Sequence, residues 1–247
     1  MIVLAFDTCF GACSAAMFQH AAHGARNGVA GAVLAARDEP MAVGHAERLM
    51  PMIAEVMAES GLSFAGLDAI AVTCGPGTFT GVRTGIAAAR GLALATGLPV
   101  LGITSLELLV RTFDATETAT DAAVPLTVCM AAGKGQLYAQ AFGARAIDVD
   151  RMPISEPMLT TADQVAASLA GQPSIVVGSA AQIVGEIVGK LVGGQGASVR
   201  AALLAGQPSA RYMQGAMLQR YSPVRPLYLR EPDAIPPADK ALPRVAS

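Results

Sequence analysis

A glycine-rich turn running into a helix is the first place in this sequence where residue types and spacing suggest chemistry. Gly75-Pro76-Gly77-Thr78-Phe79-Thr80-Gly81-Val82-Arg83 follows an apolar run, Ala69 to Thr73. Free amides at a helix N-terminus attract anions, so the segment could hold a phosphate. It lacks the Lys-Ser/Thr pair of a P-loop, and Pro76 removes one amide donor. The alternative is structural: the glycines shape the backbone, Thr78 or Thr80 caps the helix, and Arg83 pairs with an acid within the domain or across an interface.

Other candidate groups are sparser. Asp7 ends the apolar run Ile2 to Phe6, where its carboxylate can cap a turn by accepting amides near Thr8 to Gly11. His45 is followed four residues later by Leu49, so the second imidazole of a helical metal pair is missing. His20 and His23 lie in an Ala/Gly/Asn-rich stretch and form no set with it. Cys9, Cys13, Cys74 and Cys129 make no CxxC pair and read as small buried thiols of a reducing compartment.

The composition bounds what these groups can serve. The 247 residues suit one large domain or two small ones, and 53% are apolar against 15% charged. Much of the apolar share is Ala and there is no Trp, so the core is expected to be built of small side chains. A net charge of −2 does not suit a chain that grips nucleic acid alone; any role with RNA needs a partner for most of the contact. The first apolar run is too short for a leader, and none is long enough to span a membrane; a cytoplasmic location is expected.

The elements that would position the candidate residues are legible from periodicity. Ile2 to Phe6 and Ala12 to Phe18 read as a hairpin, with a third strand near Gly31 to Ala36 beyond a surface loop at 19–29. Leu49, Met50, Ile53, Val56 and Met57 recur at helical spacing in a segment spanning 46–60, with Gly61 at its end and Pro51 in a first turn or at a kink. Its two apolar faces, Leu49-Ile53-Val56 and Met50-Ala54-Met57, are wider than one buried stripe needs, which points to an interface. A second helix is expected over 80–96. Gly81, Gly85 and Gly91 weaken it, and close approach of another backbone along Gly81, Gly85, Ala88 and Ala89 would explain them. Pro99 to Ile103 reads as a strand. Thr104-Ser105-Leu106-Glu107 reads as a capping box, and 114–123 as a surface connection. The second half repeats the order: a hairpin around Gly133-Lys134-Gly135, a helix capped by Thr160 or Thr161, a strand Ser174 to Val177, an Ala/Gly/Val helix, and a helix from Pro208-Ser209 to before Pro223.

Leu4-Ala5-Phe6-Asp7-Thr8 with Cys13-Ser14 is similar to the opening hairpin of the actin/Hsp70/sugar-kinase superfamily. His45-Ala46-Glu47-Arg48-Leu49-Met50-Pro51, followed by Gly75 through Thr84-Gly85, resembles the bacterial TsaB family, also called YeaZ. The likeness covers residues 1–110 and returns at Gly135 to Tyr138 and Pro226-Leu227-Tyr228-Leu229-Arg230. It implies an α/β fold of two actin/Hsp70-like (ribonuclease H-like) subdomains of mixed sheet plus helices, the C-terminal one reduced. The expected division is residues 1–110, residues 111–230, and a loose tail at 231–247.

The resemblance further implies a non-catalytic subunit that activates a TsaD-like transferase making threonylcarbamoyladenosine at tRNA position 37. It implies a TsaE-like ATPase as a further partner, self-association when alone, and contact with tRNA only through the complex. The partner interface would use Leu49, Met50, Ile53, Met57, Thr80, Arg83, Thr84, Gly85 and Ala88. No cofactor is expected to be held firmly by the chain, with ATP and Mg entering at the level of the complex. In nucleotide-using members an Asp after the first strand helps position the metal, which makes Asp7 and Thr8 the candidates for a residual nucleotide site. Two rival readings stand beside it. One is an ATP-dependent small-molecule kinase, which would need a general-base Asp that is not identifiable; the other is a metallopeptidase, which lacks its ligand pair. Ala131-Ala132-Gly133-Lys134 departs from the Asp-Ala-Arg of other members, leaving Lys134 as the positive charge there.

Overall fold

The computed structural model describes residues 1–19, 32–116, 122–145, 151–192, 199–202, 209–213 and 224–230. The elements run β1 (Ile2–Asp7), β2 (Ala12–Gln19), β3 (Ala32–Pro40), α1 (His45–Ser60), β4 (Ala69–Thr73), α2 (Phe79–Thr96), β5 (Val100–Ile103) and α3 (Ser105–Thr116). The second half follows with β6 (Leu126–Gly133), β7 (Gln136–Phe142), β8 (Met158–Thr161), α4 (Ala162–Leu169), β9 (Ser174–Val177), α5 (Ala181–Leu191) and β10 (Val199–Ala202).

Two five-stranded sheets result, ordered β3-β2-β1-β4-β5 and β10-β9-β6-β7-β8. In each, the first strand pairs antiparallel with the second and parallel with the fourth. In each, the third extends the antiparallel side and the fifth the parallel side. The chain is thus one topology used twice, the two-lobed ribonuclease H-like fold. The second lobe keeps the strand number and is reduced only in length, with four-residue β8, β9 and β10 and an eight-residue α4.

The period-two rule sorts the first sheet's side chains onto two faces. Leu4 and Phe6 join Met17, Ile70 and Val72 beneath α1 and α2, while Val3 and Ala5 join Phe18, Ala71 and Leu101 on the opposite face. That opposite face meets Leu108 of α3 and a 3-10 turn at Ala210–Met213. The other side of α3, with Leu106, Leu109, Val110 and Phe113, packs on Leu126, Val128 and Ile175 of the second sheet. α3 therefore lies between the sheets, and the division expected at residue 110 falls inside a helix that serves both cores. Residues 114–116, read as surface connection, are its last turn. α4 and α5 cover the outer face of the second sheet through Val165, Ala166, Val184 and Val188.

Local signals account for most element ends. α1 stops at Gly61, which takes φ +68°, a conformation costly for a residue with Cβ. Thr104 and Glu107 cap each other at the start of α3, and Thr161 and Gln164 do so at α4. Pro51 is not in the first turn of α1 but one turn further in, on the exposed side. The strands β8 and β10 are too short for periodicity to reveal. Where a helix was expected after Pro208-Ser209, the described residues hold the 3-10 turn; the loop at 20–29 and the tail beyond 230 lie outside them.

Candidate functional site

The β1–β2 turn, the Gly75–Gly77 turn and the start of α2 form one tight assembly. Thr78 caps α2 by accepting from the Gly81 amide at 3.1 Å, and the Thr78 amide donates to Cys9 O at 2.8 Å. A Cβ on Gly77 would stand 2.8 Å from the Cβ of Cys9, and one on Gly85 2.9 Å from Thr8 Oγ1 and 3.2 Å from Val72. At Gly81 a Cβ would fall well inside contact distance of the Thr8 carbonyl. The approach that explains Gly81 and Gly85 is therefore made by the chain's own first hairpin. Gly91 differs, because nothing stands within 4 Å of where its Cβ would be. The Gly75-Pro76 peptide is cis, and Ser105 closes the turn, its amide donating to Gly75 O at 2.9 Å and its hydroxyl to Pro76 O.

Asp7 and Thr8, the nucleotide candidates, are both buried with 1% exposure. Asp7 Oδ1 accepts from the Thr73 hydroxyl and, at 3.3 Å, from the Cys9 amide; Thr8 Oγ1 donates to Gly81 O at 2.7 Å. Asp7 Oδ1 and Thr8 Oγ1 are thus engaged inside the lobe, and Asp7 accepts an amide of its own turn. Burial raises its carboxyl above the usual carboxylate range, against the opposing effect of the Thr73 hydrogen bond. His45 is buried too, with Nε2 2.9 Å from Phe10 O. Among the described residues no group of three His, Cys, Asp or Glu side chains is placed to hold a metal. The cysteines are free; burial pushes Cys13 and Cys129 up to about 12 and Cys74 to about 11.

Among the described residues of this chain, Arg83 faces aromatic rings and not an acid. Its guanidinium lies 3.7 Å from the centroid of the Phe79 ring, and Nε donates to Tyr228 Oη at 2.9 Å. Tyr228 stacks on Phe79 with centroids 5.8 Å apart. Sequence reasoning missed this triad because Tyr228 is 145 positions away.

The nine expected interface residues divide sharply. Leu49, Ile53 and Met57 lie in the core under α1, together with Met52, which the sequence reading left out, and Gly85 is buried beneath α2. They can support an interface but not form its surface. Met50, 46% exposed, Thr80 and Arg83 face outward, and Thr84 and Ala88 are half-buried. Ala54 on α1 and Ala87, Gly91 and Leu94 on α2 join them on the outside, with Leu94 at 91% exposure. The spacing Ala87-Gly91-Leu94, off the buried stripe Val82-Ile86-Ala89, was the available signal for this face. Arg48 anchors α1 beside it, donating to Glu39 at 2.6 Å and to Glu55 at 2.8 and 2.9 Å.

Comparison with known proteins places this geometry. A family model described as TsaD, tRNA N6-adenosine threonylcarbamoyltransferase, matches residues 39–190. A tRNA N6-adenosine threonylcarbamoyltransferase of Erythrobacter litoralis is 52% identical over 63 residues, 26% of this chain and 18% of that one. The tRNA threonylcarbamoyladenosine biosynthesis protein TsaB of Escherichia coli is 38% identical over 106 residues, 43% of this chain and 41% of that one. These matches span less than half the length of either relative. The structure of YeaZ from Pseudomonas aeruginosa superposes with a TM-score of 0.64 at 25% identity, over 86% of this chain and 89% of that one. Family model, sequence relatives and structure agree: this chain belongs to the threonylcarbamoyltransferase-type family, and within it to TsaB, also called YeaZ.

Proposed function

We infer that the chain is a non-catalytic subunit in the formation of threonylcarbamoyladenosine in tRNA, acting by pairing with a TsaD-like transferase. The observation that carries this reading is the outer face of α1 and α2. Met50, Ala54, Ala87, Gly91 and Leu94 present small and apolar groups to solvent on the lobe that bears the family's sequence string. An exposed apolar patch on a helix pair suits a protein partner, and open glycine and alanine positions let a partner helix approach closely. The burial of Asp7 and Thr8 supports a role without chemistry of its own, since Asp7 Oδ1 and Thr8 Oγ1 already bond within the lobe. Any ATP, the TsaE-like ATPase and the tRNA would then be engaged through the complex.

The test is made in cells lacking this chain. Their tRNA nucleosides, measured by mass spectrometry, should lose threonylcarbamoyladenosine. The wild-type gene should restore it, and a folded Met50→Asp variant should not. Undiminished modification in the deletion strain contradicts the reading.

A further inference from the structure

Residues 224–230 form no helix or strand, yet their backbone and side chains are fastened at intervals to both lobes. On the first lobe, Arg90 Nη2 donates to Val224 O at 3.0 Å, and the Leu227 amide donates to Cys74 O at 2.8 Å. Tyr228 closes this side through its stack on Phe79 and its bond from Arg83. The fit is close: a Cβ on Gly75 would stand 3.1 Å from Leu227 O. Two residues on, the same segment is on the second lobe. Leu229 packs against the core that the second sheet shares with α3, and Arg230 Nη1 donates to Ala132 O at 2.8 Å, at the β6–β7 hairpin. Side chains alternate along an extended segment, so Tyr228 and Leu229 point to opposite sides and can engage different lobes.

We propose that Val224–Arg230 is a strap that locks the two lobes at a fixed angle, with the Phe79–Arg83–Tyr228 stack as its clasp on the first lobe and Arg230 as its clasp on the second. α3 joins the lobes from within; the strap joins them from outside, across the Gly75-Pro76 turn. Two ties at separate places stop a hinge motion that either alone would permit. The Arg83 clasp is a half-exposed stack and the Arg230 clasp includes a bond to a backbone carbonyl from a half-buried side chain, so both lie outside the buried cores. This role explains why the Pro226-Leu227-Tyr228-Leu229-Arg230 motif sits far in sequence from the glycine turn it completes.

Hydrogen exchange on the full chain tests the strap, because it reads one lobe while the other is altered. Arg230→Ala removes the clasp on the second lobe. It should nevertheless speed exchange of the Leu227 amide, on the first lobe, by about tenfold or more, the factor set by losing about 1.4 kcal/mol of holding free energy. In the reverse direction, Tyr228→Ala should speed exchange in the 131–136 hairpin. Tyr228→Phe keeps the ring stack and loses the Arg83 bond, so it should give a smaller change of the same kind and serves if the alanine variant does not fold. Amides of β9 and α4 should keep their wild-type rates. Faster exchange confined in every variant to the lobe that carries the altered contact overturns the proposal.

Discussion

Thr8 and Gly81 hold each other from both sides. Thr8 Oγ1 donates to the Gly81 carbonyl at 2.7 Å, while the Thr8 carbonyl lies against the Gly81 Cα with no room for a Cβ between them. The first hairpin and the second helix are thereby joined backbone to backbone. The glycine string that could be taken for a phosphate loop is occupied by the protein's own turn.

Gly81 and Gly91 should accordingly respond to Ala in opposite senses within one helix. Gly81→Ala sets a methyl against an immovable carbonyl and should destabilise the fold by about 3 kcal/mol or more. Gly91→Ala meets nothing within 4 Å and should stabilise it by about 0.5–1 kcal/mol. Urea unfolding of the two variants checks both; equal effects would remove the close-packing explanation.

Asp7 gives a pH prediction. Burial raises its folded carboxyl above the ordinary carboxylate range, so the native state binds the proton more tightly than the unfolded chain. The resulting stability is fully present below the unfolded pKa and is lost as pH rises through the folded one. Asp7→Asn removes that dependence. The stability difference, variant minus wild type, should therefore grow from pH 4 upward and level off once Asp7 is ionised. Urea midpoints between pH 4 and pH 8 measure it, and a difference that shrinks with pH would reverse the assignment.

Arg151 fastens α3 to the second lobe from a buried position. Its Nε donates to Asp114 at 3.0 Å, and Nη1 donates to Gly143 O at 3.1 Å and to Val124 O. Arg151→Ala leaves Asp114 and two carbonyls without this partner and should cost about 3–5 kcal/mol in global stability. Chemical denaturation of the variant reads this directly.

The thiols should be inert in the native chain. Cys13 and Cys129 titrate at about 12 and Cys74 at about 11, so at pH 8 almost no thiolate is available. Mass spectrometry after iodoacetamide treatment should find the native protein unmodified and the urea-unfolded protein alkylated at all four cysteines.

How much of this was readable in sequence depended on whether a feature was local. The first hairpin, the helices over 46–60 and 80–96, the capping box at Thr104 and a threonine cap at 160 or 161 follow from spacing alone, and the long glycine string sufficed to suggest the family. Orientation was less legible. Leu49, Met50, Ile53 and Met57 are all apolar at helical spacing, and only the position of the sheet sends three of them inward and Met50 out. The long-range partners were beyond reach: nothing near Arg83 points to Tyr228, nothing near Gly81 announces Thr8, and α3 does not disclose that it serves two sheets.

Pairing of the outer face of α1 and α2 with a TsaD-like partner is tested most directly by affinity. Binding of the wild-type chain to the TsaD-like protein of the same genome should be compared by calorimetry with that of Met50→Asp and Leu94→Asp. Both positions are exposed, so both variants should fold with near-normal stability. A buried charge at an interface hot spot costs at least about 2 kcal/mol, so each variant should bind about 30-fold or more weakly. Unchanged affinity in both folded variants would contradict the account.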